Sequence, residues 1–588
     1  VLLTGLAVFP AMAAQVLASR NNNARTGANL YEQRLSAANV NPRQFGHLFS
    51  QEVEGNIYAQ PLVATDVKTG GGLRNIVYVA TTDNLVYAFD ADGTGRSRGF
   101  IWARRLGDPP GANPAAKVTV PLGGLLLPSI PNRAPRVGPV PWNDPAHFRN
   151  NATTFMGNVG VIGTPVIDRG RNAIYLVSRT KAGAQYVQTL HALDLSTGNQ
   201  KPGSPVVLAR DTSRTSFAAF MNQRTGLAIA NDRLIVAWGS PGTGEDVNRY
   251  SGYVMAFNLD TLGRSGCFAT GTRLGGGIGF WQAGRAPVVD GAGRVYLFSG
   301  NGGPRAADPV NLCTADGSFP AAPPLGVYLS NALLQLDFRR PQPLLHQALA
   351  PNQEALDVCD VDLGGSGPLL VPGTGTMVGG GKQGLLHVFS RSADGRHELT
   401  QTVQAYAGPP EYFGIRVDDQ GVKRCARRGQ PEAQGAHHIM GGPVYWESPV
   451  HGPLLYLSPE SEYIQAFRFD KARSQLAPDP VMRSAAPVLR HPGAILSLSA
   501  NGSQQGSGIL WAVQGDRKVD SPEDPWIEQI RGVVRAFDAD DLSRELWNSK
   551  QSDGPEFNFA KFTPVTVANG KVYVPTFSGK LIVYGLKP

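Results

Sequence analysis

Two carboxylates, Asp360 and Asp362, stand as Asp-x-Asp at the head of a strand-like stretch, DVDLGGSGPLLV. Such a pair can ligate a metal ion, accept a proton from a substrate hydroxyl, or hydrogen-bond the amides of a turn. Arg224 and Lys561 are cations able to hold a carboxylate, and Trp281 offers an indole on which a flat ring can stack, with Gln60 and Gln282 as polar neighbours. His437 and His438 add two imidazoles, good transition-metal ligands and general bases when neutral. Consecutive residues on a strand point to opposite faces, so only one of them, taken as His438, is expected to face such a site. A partner ligand would come from another segment, such as Asp362 or Gln282. The chain has no His-Glu-x-x-His zinc motif. Its glycine tracts, Gly275-Gly276-Gly277 and Gly379-Gly380-Gly381-Lys382, open no helix and read as close strand approaches rather than phosphate loops.

These residues must be positioned by a repeated unit. GVVRAFDADDLSRELW, from Gly532 to Trp547, alternates apolar and polar residues, turns at Asp538 to Asp541, and resumes as a second strand. Shorter copies are LVYAFDADGTG at Leu85, TLHALDLSTG at Thr189, YVMAFNLDTLG at Tyr253 and ALLQLDF at Ala332. Further copies are LLHVFSRSADG at Leu385, YIQAFRFD at Tyr463 and LIVYGL at Leu581. Their spacing suits one copy per four-stranded blade, each copy the third strand of its blade. The chain therefore reads as all-β, an eight-bladed propeller of four-stranded antiparallel blades occupying 45–588. The last repeat stops after its third strand, and Phe45 to Val53 is expected to supply the fourth and close the ring.

Composition supports this. The 70 glycines and 45 prolines suit many turns, and 42% hydrophobic residues suffice for a packed interior. The net charge of +8 is scattered without an aromatic-basic stripe, which argues against nucleic acid as a partner. Residues 1–14 resemble the apolar part and small-residue cleavage site of a secretory signal, and no other stretch is apolar enough for a transmembrane helix. Residues 15–44, rich in Asn and Arg, read as an irregular arm lying on the propeller. The expectation is an exported monomer, periplasmic or extracellular. Cys267, Cys313, Cys359 and Cys425 then have an oxidising environment, with three connectivities open to them. The absence of Cys-x-x-Cys-His argues against a covalently attached haem.

The long insertions, Asp108–Gly157, Gly239–Ser251, Gly302–Leu329, Gly408–Ala436 and Gly515–Arg531, all fall between second and third strands or between blades. Both kinds of connection emerge on one face of a propeller, so one face is decorated and the other trimmed. A site is expected at the mouth of the central channel on the decorated face, where the leading residues of the first strands lie. Tyr58, Gln60, Asn158, Gln223, Arg224, Trp281, Gln282, Asp360, Asp362, His437, His438, Ser497, Ser499 and Lys561 hold those positions.

Ala192, Asp194, Thr197 and Gly198 match the first part of an Ala-x-Asp-x-x-Thr-Gly-x-x-x-Trp signature, and Ala536, Asp538 and Trp547 match its frame. On these residues the repeat resembles that of quinoprotein alcohol dehydrogenase-like propellers. Most copies lack the Trp, so the indole girdle is expected to be incomplete. NNNARTGANL, GNIYAQPL, VGVIGTPVID, LSLSANGS and FTPVTVANGKVYVPTFSGKL are similar, more specifically, to a group of exported bacterial propellers to which no substrate is assigned.

The resemblance implies pyrroloquinoline quinone with calcium as cofactors. Arg224, Lys561, Gln60 and Gln282 would then face the quinone and Trp281 would stack on it. Asp360 and Asp362 would ligate the metal, and Asp360, Asp362 or His438 would act as the base. The adjacent cysteines of those dehydrogenases are absent, and their calcium-ligating Glu and Asn and catalytic Asp find no motif match. Two functions follow: a cell-envelope propeller that binds a small ligand, glycan or envelope protein without evident catalysis, or a quinone- and calcium-dependent dehydrogenase of an alcohol or sugar.

Overall fold

The computed structural model describes residues 14–588 except 94–98, 108–120, 123–124, 127–137, 140–157, 213–216, 240–250, 272–276, 303–311, 315–328, 409, 429–436, 490 and 517–528. The signal-like segment therefore lies outside the described residues save Ala14, as do the interiors of the long insertions and Gly275–Gly276.

Eight antiparallel sheets, each of four consecutive strand positions, form the blades of an all-β propeller. Their innermost strands begin at Leu62, Val166, Ala228, Val288, Leu369, Val444, Ile495 and Thr566. Every repeat copy is a third strand, from Leu85–Asp90 in the first blade to Lys580–Leu586 in the eighth. Phe45–Glu52 pairs antiparallel with Lys580–Leu586, His47 opposite Tyr584, so the chain's beginning completes its last blade. The apolar core lies between neighbouring blades, where alternate residues of facing sheets interdigitate. Where an indole crosses to the next blade, glycine is required: a Cβ at Gly198 would stand 2.5 Å from the Trp102 ring.

The described strands flanking each long insertion are second and third strands, or the fourth of one blade and the first of the next. The described ends of all five insertions therefore lie on the same face. Two short helices, Phe217–Phe220 and Gln353–Cys359, lie in connections of that kind too. The cysteines pair in chain order, Cys267 with Cys313 and Cys359 with Cys425. The second bridge ties helix Gln353–Cys359 to the hairpin Tyr412–Val417 and Lys423–Arg428.

The arm lies on the propeller in two parts: up to Asn29 it runs round the axis and meets the inner edges of the blades in order, while beyond it Leu30 and Tyr31 are exposed. Val16 bridges Val63 of the first blade, and Leu17 accepts from Ile167 of the second. Asn23 reaches the third and fourth through Ile229 and Val289. Ala24 accepts from Leu370, Thr26 from Tyr445, and Gly27 from Leu498. The Asn29 side chain donates to Val567 of the eighth. Eight innermost strands each present main-chain groups to the hub, and this segment meets at least one of them on every blade. Its lack of period follows, because its partners are eight strand edges and not one sheet.

Candidate functional site

Among the described residues, the hub holds buried cations without carboxylate partners. Arg20, Arg25, Arg224 and Arg285 are each at most 3% exposed. Arg20 donates to the carbonyls of Leu496 and Gly441. Arg25 donates to Pro287, Ser19 and Asn22, and Arg285 to Arg25, Pro368 and Pro443. Burial lowers all four, Arg20 and Arg25 to about 9, with mutual repulsion adding to the effect on Arg20 and Arg285. At neutral pH Arg20, Arg25 and Arg224 remain charged.

Arg224 differs from the other three. Its Nη1 donates to the Ile162 carbonyl at 3.0 Å, while Nε and Nη2, both buried, meet no hydrogen-bond acceptor among the described residues. Its guanidinium lies 5.7 Å from the Tyr58 ring and 5.9 Å from that of Trp281. Gly284 makes room for it, since a Cβ there would stand 2.0 Å from Nη1. Half-buried Trp281 packs with Tyr58 and Phe577 on one side and with Met440 and Phe562 on the other. Around this floor, Gln282 and Ala283 (φ 49 and 45), Asp360 (φ 56) and Phe562 (φ 67) hold left-handed backbone without being glycine. Each such residue costs about 1–3 kcal/mol, a strain that collects at binding sites.

Asp360 and Asp362 come together, as the sequence suggested, but around an ammonium. Lys382 Nζ lies 3.0 Å from Asp360 Oδ1 and 2.7 Å from Asp362 Oδ2. The Asn301 amide and side chain donate to Asp362 Oδ1 and Asp360 Oδ1. Burial raises the Asp360 carboxyl against the pull of Lys382, and the Asp362 charge adds to the rise. Deeper lies Asp357, which accepts from Gly302, Ser330 and Asn331; burial nonetheless pushes it up to about 6. The glycine tract before Lys382 is a close strand approach, because a Cβ on Gly381 would stand 2.1 Å from the Asp362 carbonyl oxygen.

The two histidines diverge as expected for neighbours on an extended chain. His437 turns to Glu462 (Nδ1 to Oε1 3.2 Å) and stacks on Tyr406. His438 turns to Glu460. Glu460 Oε2 lies 3.0 Å from His438 Nδ1 and 3.2 Å from His491 Nδ1. Burial works to raise the Glu460 carboxyl, but the two imidazoles outweigh it and hold it at about 2. Burial lowers His491, and nearby His438 and Lys561 lower it further against the pull of Glu460.

The remaining candidates divide. Lys561 is buried near His491. Gln60 accepts from the Arg20 amide and donates to Thr566, while Gln282 accepts from the Phe298 amide and donates to the Arg285 carbonyl. Ser497 donates to the Val565 carbonyl and Ser499 accepts from Trp511. Asn158 pairs with Asp83 and Gln223 donates to the Thr225 carbonyl. Those polar groups hold the frame together. Sequence reasoning missed Lys382, Glu460, His491 and Asn301; all lie in connections or strand ends of the decorated face, with no local pattern marking them.

Neither a protein-family model nor a curated protein sequence matches the chain. Among solved structures, the quinohemoprotein alcohol dehydrogenase of Comamonas testosteroni superposes with a TM-score of 0.51 at 13% identity. The match covers 98% of this chain and 81% of that one. A quinohemoprotein alcohol dehydrogenase of Pseudomonas putida HK5 gives a TM-score of 0.50 at 13% identity, covering 97% and 80%. At this identity the likeness is one of fold: the chain shares the quinoprotein type of eight-bladed propeller.

Proposed function

We propose that the decorated-face mouth of the hub binds a flat, carboxylate-bearing redox cofactor of the pyrroloquinoline quinone type, and that the protein oxidises a small alcohol or sugar. The observation that carries this reading is Arg224, a buried cation beside two aromatic rings with two N–H groups lacking an acceptor. Leaving such donors unmet costs about 1–3 kcal/mol each, an expense a bound anion would remove. The fold of quinohemoprotein alcohol dehydrogenases is consistent with it.

The residues fit the organic part of such a cofactor. Arg224 and Lys561 would hold its carboxylates and Trp281 would cover its ring face. When bound, the quinone supplies the two-electron oxidant. Asp360, with 46% of its side chain exposed and its carboxyl raised by burial against the pull of Lys382, is the candidate to receive the hydroxyl proton. The calcium ion does not fit. Calcium takes six to eight oxygens, and the two carboxylates that could start such a shell already clasp Lys382.

The same clasp favours a second reading, a propeller that binds its ligand without turning it over. Mixing the purified protein with pyrroloquinoline quinone separates the two. Altered quinone absorbance with dye reduction by an alcohol or sugar supports the dehydrogenase, and altered absorbance alone supports the binder. Unchanged absorbance at saturating quinone removes both in their quinone form. We further infer export to an oxidising compartment, in line with the pairing of all four cysteines; recovery of the protein only with reduced thiols in a cytoplasmic fraction would contradict it.

A further inference from the structure

The structure assigns a transition-metal site of the zinc class to His438, Glu460 and His491, at the hub mouth between the sixth and seventh blades. The three residues come from three connections. His438 precedes the first strand of the sixth blade, Val444–Ser448. Glu460 lies between that blade's second and third strands, and His491 between the sixth and seventh blades. All three connections leave the decorated face. Their ligand atoms gather within 4.8 Å of one another.

Both imidazoles aim Nδ1 at the same oxygen, Glu460 Oε2, at 3.0 and 3.2 Å. Around a tetrahedral zinc ion with bonds of about 2.0–2.1 Å, neighbouring ligand atoms stand roughly 3.3–3.5 Å apart. The two edges observed are thus a few tenths of an ångström short of those the ion would impose. The adjoining His437–Glu462 pair gives a comparison within the same molecule, one imidazole and one carboxylate packed under Tyr406. That pair belongs to no such cluster among the described residues.

Burial divides the cluster into a closed back and an open front. His491 and Glu460 are 3% and 5% exposed, whereas the His438 side chain retains 20%. Three protein ligands with one accessible side are the pattern of a site that keeps a position for water or ligand. The donor set decides the class of ion: two nitrogens and one carboxylate suit zinc, cobalt, iron or copper and not calcium. With Lys561 close by, an ion here leaves the open position facing anionic ligands. The assignment does not depend on a quinone.

The test is metal binding by the full chain. After chelator treatment and dialysis, cobalt(II) is titrated without quinone and visible absorbance is followed. The expected result is one cobalt per chain with ligand-field bands, displaced by zinc and not by calcium. His438→Ala should weaken binding on the order of 100-fold or more, while His437→Gln leaves it within about twofold. His438 is the ligand with an exposed edge, so its replacement leaves the fold intact by thermal melting, and Glu460→Gln serves as a second variant with the same expected loss. Absence of a one-to-one cobalt complex, displacement by calcium, or affinity indifferent to both variants would overturn the site. Quinone is absent throughout, so failure here leaves the quinone reading standing, and failure of quinone binding leaves this one.

Discussion

Arg20 Nη1 donates to the carbonyl oxygen of Leu496 at 2.7 Å, joining the arm to the seventh blade across 476 residues of sequence. Its Nη2 reaches Gly441 before the sixth. Arg20→Ala would leave both carbonyls buried and unmet, so unfolding in denaturant should show a loss of about 2–4 kcal/mol. Arg20→Lys should recover little, because an ammonium cannot reproduce the planar fork.

The ring closure should be as sensitive. Phe45 meets Trp547 edge-on at 4.9 Å and Trp511 at 5.5 Å, filling the junction between the seventh blade and the strand that completes the eighth. Phe45→Ala removes a fully buried ring and should cost about 3–5 kcal/mol by denaturant titration.

Acid should destabilise the fold through two histidines far from the hub. Burial lowers His191 to about 3 and His387 to about 4, from an ordinary 6.5. His191 is neutral in the fold, accepting from Gln200 at Nδ1 and donating from Nε2 to Ser178. For both groups the unfolded chain binds the proton more readily. Their stability is therefore present above pH 6.5 and is lost as pH falls toward 4 and 3. These shifts correspond to about 5 kcal/mol for His191 and about 3 kcal/mol for His387. Denaturant midpoints between pH 7 and 4 should fall steeply, and His387→Gln should reduce the slope by about one proton.

The bridge Cys359–Cys425 closes 66 residues and fastens the hairpin of the fifth-to-sixth connection to the helix before the fifth blade. Replacing both cysteines by serine should lower stability by about 2–4 kcal/mol. Limited proteolysis should then cut first near the hairpin, with the blades surviving as a protected fragment.

The blades were legible because each repeat must bury both faces, which imposes the same alternation at Leu85, Val254, Leu386 and Val533. Closure was legible too, since a last repeat lacking its fourth strand needs one from elsewhere, and Phe45 heads a strand that no blade claims. The arm's place was not. Its partners are single edges of eight strands, so it carries no periodicity, and Arg25 or Arg285 in sequence looks like any surface arginine. Arg224, Trp281 and Asp360 were singled out from their position ahead of inner strands. Glu460 and His491 were not, because they sit in connections whose course is set by the blades and not by local pattern. Lys382 was passed over at the end of a glycine tract, although it alters what Asp360 and Asp362 can do.

The measurement that tests the hub-mouth site most directly is a titration of pyrroloquinoline quinone into the wild-type protein and Arg224→Gln, followed by quinone absorbance and by thermal melting. Without ligand, removing a buried cation with two unmet donors should leave stability unchanged or raise it by up to about 3 kcal/mol. With quinone, the wild type should bind and gain melting temperature, while Arg224→Gln binds at least about tenfold more weakly and gains little. Equal quinone affinity in the two proteins, or a ligand-free Arg224→Gln markedly less stable than wild type, would show that this guanidinium serves the frame and that the anion site is not where it has been placed.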